Sequence, residues 1–135
     1  MEIIMNVVTF QCGRKKTEEI LDAVKNDDFG YGGIDFKNVD QKTSERLLEE
    51  YKISFATAWG SPVDLIREIS KKFPNVAIGV EWAAESVEFG AGGYECKDGE
   101  ILSEYYPETE KEQSEFSDRV WAEGYSAGIG MELKQ

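Results

Sequence analysis

Histidine is absent from all 135 residues. Without an imidazole there is no Ser-His or Cys-His nucleophile and no histidine-bound metal, because no other side chain exchanges its proton near neutral pH at its ordinary pKa. Cysteine is almost as scarce. Cys12 and Cys96 are the only two, and without CxxC spacing they offer no zinc or iron–sulfur framework. With no secretory signal in view they read as two reduced, half-buried thiols rather than a disulfide. Long apolar runs are missing too, none approaching the roughly 20 residues that span a bilayer. The apolar start MEIIMNVVTF lacks a basic leading segment and a small-residue cleavage site, so the expectation is a soluble, cytoplasmic protein beginning at Met1.

Positive charge is the remaining shortage: 15 basic residues stand against 27 acidic ones, a net charge of −12. The deficit is steepest late in the chain, where residues 81–118 hold 12 acidic side chains against Lys97 and Lys111. Such a field repels phosphate backbones and anionic membranes, which disfavours duplex nucleic acid and lipid as partners and favours a basic protein surface. The plain alternative is that the acids only keep a small protein soluble.

What is present suits one domain with one core, since 135 residues are too few for two. Residues 3–12, IIMNVVTFQC, are rich in β-branched and aromatic types and predict a central strand. After Gly13, RKKTEEILDAVKN places Ile20, Leu21 and Val24 on one stripe, the pattern of an amphipathic helix. A brief strand is expected at Ile34–Phe36, and a second helix from Thr43 to Tyr51, where Leu47, Leu48 and Tyr51 share a helical face. ISFATAWGSP, residues 53–62, alternates large Ile53, Phe55 and Thr57 with small Ser54, Ala56 and Ala58. That is a strand whose small face can lie close beneath a helix. Ser61 suits an N-cap and Pro62 a first helical residue. Leu65, Ile66, Ile69 and Phe73 then make the buried stripe of a helix that Pro74 stops. NVAIGVEW (75–82) reads as a strand, residues 86–106 as a hairpin turning at Asp98-Gly99, and residues 108–125 as a last helix buried through Phe116, Val120 and Trp121. Residues 126–135 read as a loose tail. Helices among four or five mostly antiparallel strands imply an α+β domain with helices on one sheet face plus a C-terminal helix, of which the ferredoxin-like βαββαβ arrangement is the commonest small version.

Few constellations suggest chemistry. GAGGY (90–94) lacks the Lys-Ser/Thr of a phosphate loop and lies in the hairpin, so its glycines read as a bulge or a close strand approach. Glu81, Glu85 and Glu88 flank Trp82 and could together hold a hard divalent cation, although among 27 acids a solvated face is the simpler reading. Trp59 and Trp82 near the strand-to-helix corner could wall a groove.

The segments GGIDFKNV, ISFATAWGSP, LIREISKKFPNVAIGVEWAAESVEFGAGGYECKDGEI and WAEGY resemble the YubB-type ferredoxin-like domain family of bacterial plasmids, phages and other mobile elements. The resemblance spans most of residues 3–106. It implies the βαββαβ fold, in topology only and without a cluster, and a mobile-element origin. It carries over no catalytic residue. The chain departs from the family's pattern after Ile34-Asp35-Phe36, where a longer proline-bearing insertion is missing, so a pocket built by that insertion would be reduced or absent.

The expectation is therefore a non-enzymatic, cofactor-free interaction protein, monomeric or homodimeric. Its acidic face, formed by Glu81, Glu85, Glu88, Glu100, Glu104, Glu108, Glu112 and Glu115 with Trp59 and Trp82, would occupy a basic nucleic-acid-binding groove of a host protein. An anti-defence inhibitor of the anti-CRISPR kind is the sharpest form. The alternatives are a small-ligand or peptide module at the Trp59/Trp82 corner and a carboxylate-dependent metal enzyme at Glu81, Glu85 and Glu88.

Overall fold

The computed structural model describes residues 3–25, 43–44, 50–58, 61–86 and 90–126. In chain order these form β1 (Ile3–Gln11), α1 (Arg14–Lys25), β2 (Thr43–Ser44), β3 (Glu50–Ala58), α2 (Val63–Lys72), β4 (Ala77–Ala84), β5 (Ala91–Lys97), β6 (Glu100–Tyr105) and α3 (Glu110–Ser126). The strands make one antiparallel sheet in the order β2-β3-β1-β4-β5-β6. Its first four strands, with helices after β1 and β3, have the ferredoxin-like connection; β5 and β6 extend the sheet beyond β4. Among the described residues no helix is long and apolar enough to cross a membrane.

β1 lies in the interior of the sheet because both of its faces are apolar. Ile4, Val8 and Phe10 are buried on one side, and Met5 and Val7 on the other. The first face is covered by α2, whose Leu65, Ile66 and Ile69 are buried, and by α1, which lies beside α2 with Lys16 stacked 5.8 Å over the Phe73 ring. α3 lies on the second face. There the Ser54 hydroxyl donates to the Gly124 carbonyl at 2.7 Å, so the small-residue face of β3 does sit close beneath a helix. The core thus has two layers separated by the sheet, joined in one cluster from Phe10 and Ile20 to Phe116 and Val120.

Several boundaries follow the sequence closely. The hairpin turns at Asp98 and Gly99, both with positive φ (53° and 85°), as a type I′ turn requires. Other elements differ. The helix expected over Thr43–Tyr51 is replaced at both ends by strand, Thr43 pairing with Tyr51 and Ser44 with Glu50. Tyr51 also stands opposite Phe10 on the central strand, and a place in the sheet outweighs a weak helical stripe. Ser61 does not cap α2. The cap position is Pro62, without a side-chain cap bond, while the Ser61 hydroxyl is paired with the Tyr94 hydroxyl at 2.9 Å. α3 starts at Glu110 under a reciprocal cap: the Glu112 amide donates to Thr109 Oγ1 at 3.0 Å and the Thr109 amide to Glu112 Oε1 at 3.3 Å, a capping box. Neither cysteine is in a disulfide; Cys12 is half-buried, whereas Cys96 is fully buried, not half-buried as expected. The strand expected at Ile34–Phe36 and the tail after Ser126 lie outside the described residues.

Candidate functional site

The second face of the sheet is organised in rows set by strand register. Met5, Ala83 and Ala91 form one row, Val7, Glu81, Gly93 and Tyr105 the next, and Thr9, Gly79, Glu95 and Ser103 the third. α3 covers the first two. Met5 lies against Gly124, and the Trp121 indole N–H donates to the Ala84 carbonyl at 3.2 Å. In the second row the Arg119 guanidinium donates to both Glu81 oxygens, at 2.8 and 3.2 Å. It lies 5.0 Å over the Phe116 ring, and Phe116 meets Tyr105 edge-on with centroids 5.7 Å apart. The Glu81 carboxylate pushes the Arg119 pKa above its ordinary value by hydrogen bonding, so the guanidinium of this forked pair stays charged.

The third row is not covered by α3. A groove of about 510 Å³ opens there, lined by residues including Thr9, Gln11, Gly79, Glu95, Ser103 and Tyr105. Its wall toward α3 is made by Arg119 and Glu123.

The outer edge of the sheet is β6. Its pairing with β5 slips by one residue, Glu95 facing Ser103 but Cys96 facing Ile101, which leaves Leu102 as the extra residue of a bulge. Leu102, Tyr105 and Tyr106 are 55, 56 and 57% exposed and are the large hydrophobics left open among the described residues. The bulge also decides where the acids point. By register Glu100 pairs with Lys97 and Glu104 with Tyr94, so the two glutamates fall on opposite faces of the edge strand although a spacing of four in a regular strand would put them on one.

The expected site residues are therefore distributed rather than gathered. Glu81 is on the α3 face and bound to Arg119; Trp82, its neighbour, is on the other face and packs partly buried against the core. Glu85 is exposed at the end of β4, its amide bonded to the Ile3 carbonyl at 2.9 Å. Glu88 and Trp59 lie outside the described residues. Glu104 accepts the Tyr106 hydroxyl at 2.7 Å, which raises the Tyr106 pKa, and Glu112 serves the α3 cap. Glu100, Glu108 and Glu115 are exposed. None of Glu100, Glu104, Glu108, Glu112 and Glu115 forms an ion pair among the described residues. Among those residues no three acidic or cysteine side chains come together as a metal-binding group.

Sequence reasoning missed Arg119, Gly79, Leu102 and Tyr105. Arg119 follows Phe116 by three and precedes Glu123 by four, a spacing that puts all three on one helical stripe. Its partner Glu81 is 38 residues distant, and only the docking of α3 brings the two together.

A family model described as ferredoxin-like domain in Api92-like protein matches residues 35–123. It begins after β1 and α1 and runs into α3, in place of the expected span of 3–106. No curated protein and no solved structure matches the chain.

Proposed function

The chain belongs to the family of ferredoxin-like domains in Api92-like proteins, and from that premise we propose that it is a non-enzymatic interaction module whose acidic edge binds a basic protein surface. The observation that carries this reading is the β6 edge. The large hydrophobics exposed among the described residues, Leu102, Tyr105 and Tyr106, stand beside glutamates that no cation of the described chain neutralises. Aromatic and aliphatic anchors give an interface its contact area, and surrounding charge selects the partner and speeds encounter. A bulged, negatively charged edge also resists pairing with a second copy of itself, which favours a basic partner over self-association.

The partner that best complements this surface is a host protein with a basic nucleic-acid-binding groove, the chain taking the place of the polyanion. In its sharpest form the module is a YubB-type domain acting as an anti-defence inhibitor, of the anti-CRISPR kind, and carried by a phage or other mobile element.

A displacement experiment tests the reading. Host nucleic-acid-binding proteins are held on a DNA resin and eluted with the purified chain or with a variant carrying Glu→Gln at positions 100, 104, 108, 112 and 115. The wild type should elute a defined protein that the variant elutes only at roughly tenfold or higher concentration, and the difference should shrink between about 0.05 and 0.5 M salt as the field is screened. Equal elution by both proteins at low salt refutes the proposal.

A further inference from the structure

We propose that the row of the second sheet face that α3 leaves uncovered, Thr9, Gly79, Glu95 and Ser103, receives an arginine side chain of the basic partner. This rests on the reading above and adds a specific anchor to it.

The argument starts from two glycines. Gly93 is explained by packing, since a Cβ there would stand 3.2 Å from the Val80 carbonyl oxygen. Gly79 is not: a Cβ there would meet nothing within 4 Å among the described residues. Gly79 has no positive φ, and the β1–β4 pairing runs through it without a register shift. A glycine inside a strand weakens it, and where neither a bulge nor a neighbouring backbone accounts for it, close approach of a ligand is the remaining structural use. The bare backbone at Gly79 forms the floor of the 510 Å³ groove.

The groove's chemistry selects a cation with a flat, multiply donating head. Glu95 sits directly across from Gly79, half-buried, and has no hydrogen-bond or ion-pair partner among the described residues. On this face the lining carries Glu81, Glu95 and Glu123 against Arg119 alone. Arg119 is held on Glu81 by two bonds, so it does not serve Glu95. Lys52 continues the row beyond Thr9, but it stands on β3, three strand spacings or about 14 Å from β5. Thr9, Gln11 and Ser103 supply further acceptors, and Tyr105 supplies an aromatic wall. A guanidinium entering over Gly79 would meet a carboxylate for a forked pair, hydroxyl and amide oxygens for its remaining N–H groups, and a ring beside its stem.

The test uses the full chain and the peptide acetyl-Gly-Arg-Gly-amide, followed by backbone amide NMR. The peptide should shift the amides of Thr9, Gly79, Glu95 and Ser103, whereas the Gln analogue should not. Gly79→Val fills the groove at a position with room for the side chain and a strand preference for it, so it should fold and lose peptide binding. Glu95→Gln should weaken binding by roughly tenfold, the loss of one charge-assisted contact. Shifts confined to β6, or Gly79→Val binding as well as the wild type, would overturn the assignment. So would binding that appears only after removal of residues 127–135, since the chain's own tail would then be the occupant. The two proposals fail separately. Resin displacement lost in the five-fold glutamate variant but kept in Gly79→Val would leave the acidic edge standing without the groove. Peptide binding in the row without displacement from DNA would do the reverse.

Discussion

Gly124→Ala separates helix propensity from packing, because the two predict opposite signs. Within a helix the change should stabilise by up to about 1 kcal/mol. In the folded protein, however, a Cβ at position 124 would lie 2.5 Å from Met5 Sδ and 2.7 Å from its Cε and Cγ. Ordinary contact is about 3.5–4.0 Å, so the overlap is near 1 Å with three atoms at once. Met5 is fully buried and its Cγ is too close to the backbone to swing clear without a new rotamer. Overpacking of this kind costs about 1–3 kcal/mol. Lifting α3 to relieve it would also stretch the buried Ser54–Gly124 hydrogen bond, worth about 1 kcal/mol. The net expectation is a loss of about 1–3 kcal/mol, seen in urea melts as a lower midpoint with an unchanged slope. The decisive comparison is the Met5→Ala background. There the obstruction is gone, and Gly124→Ala should raise stability although Met5→Ala itself costs about 2–5 kcal/mol. A Gly124→Ala protein as stable as the wild type would refute the close docking of α3 on β1.

Phe55→Ala should cost about 3–5 kcal/mol in the same melts, as for a buried phenylalanine, whereas Pro62→Ala should change little because its position makes no side-chain cap bond. Thr109→Ala should remove about 1 kcal/mol with the α3 capping box, and restoring Ser at 109 should recover most of it. Gly99→Ala should destabilise the hairpin, since φ there is +85° and the new Cβ would meet Lys71 Cγ at 2.6 Å; melts unchanged from the wild type would contradict the turn. Burial pushes the Tyr94 pKa up to about 12 from 10.0. A folded pKa raised above the unfolded one gives stability that is complete below about pH 10 and lost as pH rises toward 12, at most about 2–3 kcal/mol. Tyrosinate absorbance and melts across that window should show the loss, and Tyr94→Phe should reduce it.

The elements legible in the sequence are those whose signal is local and repeated. β1, α2 and the Asp98-Gly99 turn follow from β-branched runs, a four-residue apolar stripe and positive-φ chemistry. Thr43–Tyr51 was not legible: its stripe of Leu47, Leu48 and Tyr51 has helical spacing, but the free energy that decides it comes from pairing beside β1. The acidic character of residues 81–118 was plain from composition, but its distribution was not. The slip at Leu102 sends Glu100 and Glu104 to different faces, the Thr109 cap engages Glu112, and Arg119 removes Glu81 from the free set.

By itself the sequence determined the class of the protein: an α+β fold, strongly acidic and without histidine, with its central strand and covering helices in recognisable order. Those features depend on residue type and on neighbours within a few positions. Only the tertiary structure decided that α3 crosses to the second sheet face and stops short of the Thr9–Gly79–Glu95–Ser103 row. The groove exists because strands distant in the chain align these four positions, and because a helix held by Met5 and Glu81 leaves that row uncovered.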